Sequence, residues 1–102
     1  MKKKLELIVE PKPHKIKEFS QSLYTLSKNL QNYCSSLIID ESEDGVTFNV
    51  LAQWETEEQM RKALRSEEFR ILSGAISALS EKTFIRLDDK QVGKHISMLA
   101  NI

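Results

Sequence analysis

Few side chains in this sequence have both the chemistry and the neighbours to act on a substrate, and Trp54 leads them. It is the only tryptophan, and it stands immediately before Thr56-Glu57-Glu58-Gln59, a capping box that turns the chain into a helix. A large ring at that junction lies between a sheet edge and helices, where a sheet-and-helix domain holds a pocket for an aromatic molecule. Phe48 and Phe69 are the further candidates for pocket walls, and Tyr24 is a fourth, one residue off the apolar stripe of its own helix. A ring at Trp54 that only plugs the gap between sheet and helices fits the same spacing.

The other reactive residue types carry less. Cys34 lies between Tyr33 and Ser35 with no histidine adjacent in sequence to activate it, which suits a buried small hydrophobe better than a nucleophile. His14 and His95 have no carboxylate at metal-ligand spacing, and His14 reads as a solvated residue at a helix start. Glu57-Glu58 and Glu67-Glu68 sit in first turns of helices, where the positive end of the helix dipole accounts for them. Lys2-Lys3-Lys4 reads as a solvated end. No catalytic base can be named from these positions.

The elements that must position these residues follow from periodicity. Leu5 to Val9 is a short apolar strand closed by Pro11 and Pro13. Ile16, Phe19, Leu23, Leu26 and Leu30 recur at spacings of three and four, the stripe of an amphipathic helix from about Pro13 to Leu30. Leu37-Ile38-Ile39 and Val46 to Trp54 form two strands joined through Ser42-Glu43-Asp44-Gly45. In the second of them Val46, Phe48, Val50, Ala52 and Trp54 share an apolar face, and Thr47, Asn49, Leu51 and Gln53 share a mixed one. A short helix with Met60, Ala63 and Leu64 inward precedes a second, capped by Ser66 and carrying Phe69, Leu72, Ile76 and Leu79. Thr83 to Leu87 is the last strand. The order strand, helix, strand, strand, helix, strand is the ferredoxin-like α+β arrangement, a four-stranded antiparallel sheet with helices on one face. Its open face suits a second copy of the chain.

Composition bounds the rest. The chain has 102 residues, which fit one domain over 1–102 with 93–102 as a C-terminal tail. Fifteen basic residues balance fifteen acidic ones, so no overall positive field exists to hold nucleic acid. One cysteine excludes an internal disulfide, and three scattered glycines cannot build a dinucleotide or phosphate loop. The expectation is therefore no metal, no flavin and no haem. Glu6 and Glu10 interrupt the first apolar run, no stretch is long enough to span a bilayer, and the free thiol agrees with a cytoplasmic location.

Trp54-Glu55-Thr56-Glu57-Glu58, Leu64-Arg65-Ser66-Glu67-Glu68-Phe69-Arg70 and Gly74-Ala75-Ile76 resemble the antibiotic biosynthesis monooxygenase family. So do Pro11-Lys12-Pro13, Glu18-Phe19, Ser22-Leu23 and the placement of Cys34 ahead of the second strand. The resemblance implies protomers that pair sheet to sheet as a dimeric α+β barrel. For some members it also implies cofactor-free oxidation of phenols or quinols by O₂. This chain departs from the family pattern at Ala63 and Glu68, where many members carry histidine, and at Val50 and Met60, where phenol-oxidising members carry Asn and Tyr. Ser73 stands near the position of the haem ligand in the haem-degrading branch. The leading reading is a cofactor-independent monooxygenase acting on a quinol or another electron-rich aromatic. The alternatives are a dimeric small-molecule-binding or stress-response module, and a purely structural dimer.

Overall fold

The computed structural model describes residues 2–93. The first strand, β1 (Lys3–Pro11), buries alternate residues, with Leu5, Leu7 and Val9 facing the helices. A single 3-10 turn at Pro13–Lys15 leads into α1 (Ile16–Leu30), and a second at Gln31–Tyr33 leads out of it. Strand β2 (Ser36–Glu41) and strand β3 (Phe48–Trp54) form the expected hairpin, with Gly45 at φ 71° in its turn. Two helices follow, α2 (Glu57–Leu64) and α3 (Glu67–Leu79). Each starts on the predicted cap: the Thr56 hydroxyl accepts from the Gln59 N–H at 3.1 Å, and the Ser66 hydroxyl accepts from the Phe69 N–H at 3.2 Å. The chain returns through β4 (Ser80–Leu87) and β5 (Lys90–Gly93).

All strand pairs are antiparallel and the order across the sheet is β2-β3-β1-β4-β5. Among the described residues the sheet thus has five strands, where four were expected from the sequence. Strand β5 hangs on a two-residue turn, Asp88-Asp89, with φ of 51° and 69°. That geometry usually draws glycine or asparagine, so an Asp-Asp pair gives little warning of it. Hydrogen bonds hold the turn to the start of β1: the Asp88 carboxylate accepts from the Lys4 backbone N–H at 2.9 Å and from Lys3 Nζ at 3.2 Å. Lys4 also pairs with Asp89 at 2.8 Å. Gly93, placed in the expected tail, pairs with Ile85 at the end of β5, and the rest of that tail, 94–102, lies outside the described residues, as does His95.

The core lies between the sheet and the helices. Phe19, Leu23 and Leu30 of α1, Met60, Ala63 and Leu64 of α2, and Phe69, Leu72 and Ile76 of α3 are buried against Leu5, Leu7, Val9, Phe48, Val50, Ala52, Trp54 and Ile85. On α1 the expected stripe is slightly rotated: Ile16 and Leu26 are half-buried, and Ser27 is buried with its hydroxyl donating to the Tyr24 carbonyl oxygen at 2.8 Å. Among the described residues no helix covers the opposite face of the sheet. The register places Ile38, Leu51, Glu6 and Arg86 in one row across it, and Asp40, Asn49, Ile8 and Phe84 in the next. Ile38 and Phe84 are 48% and 40% exposed, a large apolar area for a free surface.

Candidate functional site

Trp54 ends β3 with its ring 2% exposed, and its polar tip is used: Nε1–H donates to the Tyr33 carbonyl oxygen at 2.8 Å. This bond ties the end of β3 to the turn after α1 and sets the path of Tyr33, Cys34 and Ser35 as the chain enters β2. The Ser35 N–H donates to the Gln53 carbonyl oxygen at 2.8 Å and fixes the same segment from its other end. Cys34, between these anchors, is drawn in beside the indole.

The side chains around Trp54 do not fill the space left by its ring. A cavity of about 20 Å³ remains, lined by Leu5, Leu7, Leu37, Val50, Ala52 and Trp54 of the sheet, Cys34 ahead of β2, and Leu30, Ala63, Phe69 and Leu72 of the helices. Its walls are apolar. Of the polar atoms there, the indole N–H is already bonded and the Cys34 sulfur is half-buried. Loss of solvent pushes the Cys34 thiol up to about 11, with the Trp54 side chain opposing that shift weakly. At neutral pH the group is a thiol, which suits it to line an apolar wall and leaves it a poor nucleophile or base.

Outside Cys34 the surface opens into a second space of about 340 Å³, lined by Asn32, Tyr33, Cys34, Ser35, Gln59 and Lys62. Gln59 and Lys62 are three residues apart on α2 and so share one face of that helix. The Tyr33 phenol is raised above its ordinary range, first by its hydrogen bond to Glu68 and then by the charge of that carboxylate. Cys34 is the one residue that lines both spaces.

The four residues expected at the site separate. Trp54 and Phe69 line the inner cavity together. Phe48 is packed edge-on against Phe19, centroids 5.3 Å apart, and is not among the lining residues. Tyr24 stands on the outer side of α1, 43% exposed, its phenol raised by partial desolvation and then by Glu41 and Asp40. Val50 and Ala63, two of the positions where the chain departs from the family pattern, are cavity walls, while Met60 is buried elsewhere in the core. Sequence reasoning passed over Asn32 and Lys62 of the outer space, and took Cys34 and Gln59 only as a buried small hydrophobe and a capping residue. The one available signal was the Gln59–Lys62 spacing on a helix already identified. His14 is exposed on its 3-10 turn, and among the described residues no three His, Cys, Asp or Glu side chains converge to hold a metal.

No family model matches the sequence, and no curated protein matches it by sequence. Solved structures do match it in backbone. A crystal structure of antibiotic biosynthesis monooxygenase superposes with a TM-score of 0.77 at 16% identity, covering 85% of this chain and 96% of that one. The fold is that of the antibiotic biosynthesis monooxygenases. A variant of SnoaB, a cofactor-independent oxygenase from Streptomyces nogalater, gives 0.72 at 16% identity over 84% of this chain and 89% of that one. A conserved protein from Methanosarcina mazei Go1 gives 0.77 at 19% identity, over 88% and 93%. At these identities the likeness establishes the antibiotic biosynthesis monooxygenase fold, and the sequence reading of a ferredoxin-like α+β chain agrees with it. Among the described residues no helix is long and apolar enough to cross a membrane.

Proposed function

We propose that this protein is a cofactor-independent monooxygenase of the antibiotic-biosynthesis type, acting on a quinol or a related electron-rich aromatic. The observation that carries the reading is the unfilled apolar space that Trp54 and Phe69 line together between sheet and helices. Aromatic rings stack on such walls in offset or edge-on geometry, and an apolar setting shields a reactive intermediate from water. The fold likeness to a cofactor-independent oxygenase supports the reaction type. In the balanced reaction a quinol and O₂ give a hydroxyquinone and water: one oxygen atom enters a ring C–H bond, and the other leaves as water with the two hydroxyl hydrogens. The electrons come from the ionised quinol. With Cys34 held as a thiol, that ionisation rests on the acidity of the substrate rather than on a base in the cavity.

The same proposal has the protein working as a homodimer. The exposed Ile38 and Phe84, with the half-buried Ile8 and Leu51 between them, form an apolar band across the uncovered sheet face. The matching face of a second copy covers such a band in a symmetric, self-complementary contact. Light scattering should give twice the protomer mass, and Phe84→Glu should shift the protein toward monomer.

A second reading, a binding module without turnover, is favoured by one observation: Val50 and Ala63 leave the cavity without an acid or base. Oxygen uptake separates the two. With methylhydroquinone the protein should consume O₂ faster than buffer alone, one O₂ per quinol, and a chelator should make no difference. Saturable binding without uptake would establish the binding module instead.

A further inference from the structure

The two spaces on either side of Cys34 differ in kind, and together they specify a ligand more closely than either does alone. The inner one, about 20 Å³, has room for about one water-sized sphere and no more. The outer one, about 340 Å³, reaches the ~300–1,000 Å³ at which small-molecule pockets begin. Cys34 is the one residue that lines both. A ring that reaches Trp54 must therefore displace Cys34 and carry the rest of its molecule in the outer space.

That residue is suited to move. Cys34 and Ser35 belong to no regular element, and the Cys34 N–H reaches the Gln31 carbonyl oxygen at 3.3 Å, long for such a bond. The anchors on either side, Trp54 Nε1 to the Tyr33 carbonyl and Ser35 N–H to the Gln53 carbonyl, are both 2.8 Å. The segment is pinned at its ends and held weakly in the middle.

The outer space is polar, and its lining carries one charged side chain. Its lining offers the amides of Asn32 and Gln59, the hydroxyl of Ser35 and the ammonium of Lys62, and it includes no carboxylate. Arg61, beside Lys62 on α2, pairs with Glu57 at 3.6 Å, whereas Lys62 makes no ion pair among the described residues. Glu68 and Glu67 lie outside that lining and act on the Tyr33 phenol by charge. An uncharged ring would fill the inner wall and leave this cation and its flanking donors unused. A ring bearing a carboxylate would use both.

We infer that the outer space seats the anionic group of the ligand against Lys62, with the ring directed inward past Cys34 toward Trp54 and Phe69. The substrate class is then an aromatic carboxylate. This rests on the aromatic-binding reading of the cavity and adds to it a polarity and an entrance.

The test compares 2,5-dihydroxybenzoate with 2,5-dihydroxybenzamide, the same quinol ring with and without the charge. Binding is followed anaerobically by the fluorescence of Trp54. The acid should bind about fivefold tighter than the amide, the upper end of what an exposed ion pair contributes. In Lys62→Met the acid should weaken to the level of the amide while the amide is unchanged, and 0.5 M salt should shrink the preference in the parent protein. Equal affinities, or a preference that survives Lys62→Met, would overturn the inference while leaving the aromatic pocket standing. Failure of both probes to quench Trp54 would overturn the inference and the pocket together.

Discussion

Phe48 and Trp54 stand at opposite ends of the same face of β3, in the same core, and their surroundings differ. Around Phe48 the space is taken up: Phe19 meets it edge-on at 5.3 Å, and Val9, its partner on β1, is fully buried. Around Trp54 the cavity wall mixes large side chains, Leu5, Leu7, Phe69 and Leu72 among them, with the small ones of Ala52, Ala63 and Cys34, and a cavity remains. A large side chain matched edge-on by another gives a solid core, whereas small residues interspersed among large ones leave a gap. Alternation along a strand tells which face is buried, and the sizes of the facing residues decide whether that face is solid.

The comparison can be broken in four ways. The largest effect is expected at the solid end, where Phe19→Ala should cost about 3–5 kcal/mol in denaturant unfolding through the void it leaves beside Phe48. Next comes added volume. Val9→Leu should overpack and cost about 1–3 kcal/mol, while Ala52→Val, facing the cavity, should stay within about 1 kcal/mol of the parent. Equal penalties for the two would mean that both ends are packed alike.

A pH measurement sharpens the comparison further. The thiol of Cys34 is raised in the fold from about 9.0 to about 11, so between those values the folded state holds the proton more firmly than the unfolded one. The stability due to that group is present below pH ~9 and declines as pH rises toward ~11. Alkylation of Cys34 by iodoacetamide should accordingly be slow at pH 8 and keep accelerating beyond pH 10. A rate that levels off near pH 8.5 would place the thiol in water rather than in the cavity wall.

The smallest effect lies at the other edge of the sheet. Asp88 is held below the usual carboxylate range, first by the Lys4 backbone N–H and then by Lys3. What it contributes is present above its unfolded pKa and is lost as pH falls through the depressed folded one. Asp88→Ala should raise amide exchange along β5 and leave the global unfolding midpoint nearly unchanged.

Much of the frame was legible before the structure. The strand-helix order, the two capping serine and threonine residues and the buried face of β3 follow from local rules that the chain obeys. Strand β5 was hidden because Asp88-Asp89 adopts a turn that the sequence does not advertise with glycine. The candidate site was legible only in part. Trp54 and Phe69, both candidates for pocket walls, line one cavity, but period two put Phe48 on the Trp54 face without telling that Phe19 would cover it. Tyr24, one position off the stripe, points where that offset sends it, to the surface. The place of Cys34 beside both spaces depends on a hydrogen bond from Trp54 to the turn at Tyr33, twenty-one positions earlier in the chain, and no local pattern announces it.

The central claim is that the space beside Trp54 admits an aromatic ring. The chain holds one tryptophan, so an anaerobic titration with methylhydroquinone reads that site alone by fluorescence. The account predicts saturable quenching that is weakened in Ala63→Val, where the two added methyl carbons take up the cavity, with an unfolding curve showing that the variant is folded. Emission that does not respond to the quinol, or that responds equally in a folded Ala63→Val, would contradict it.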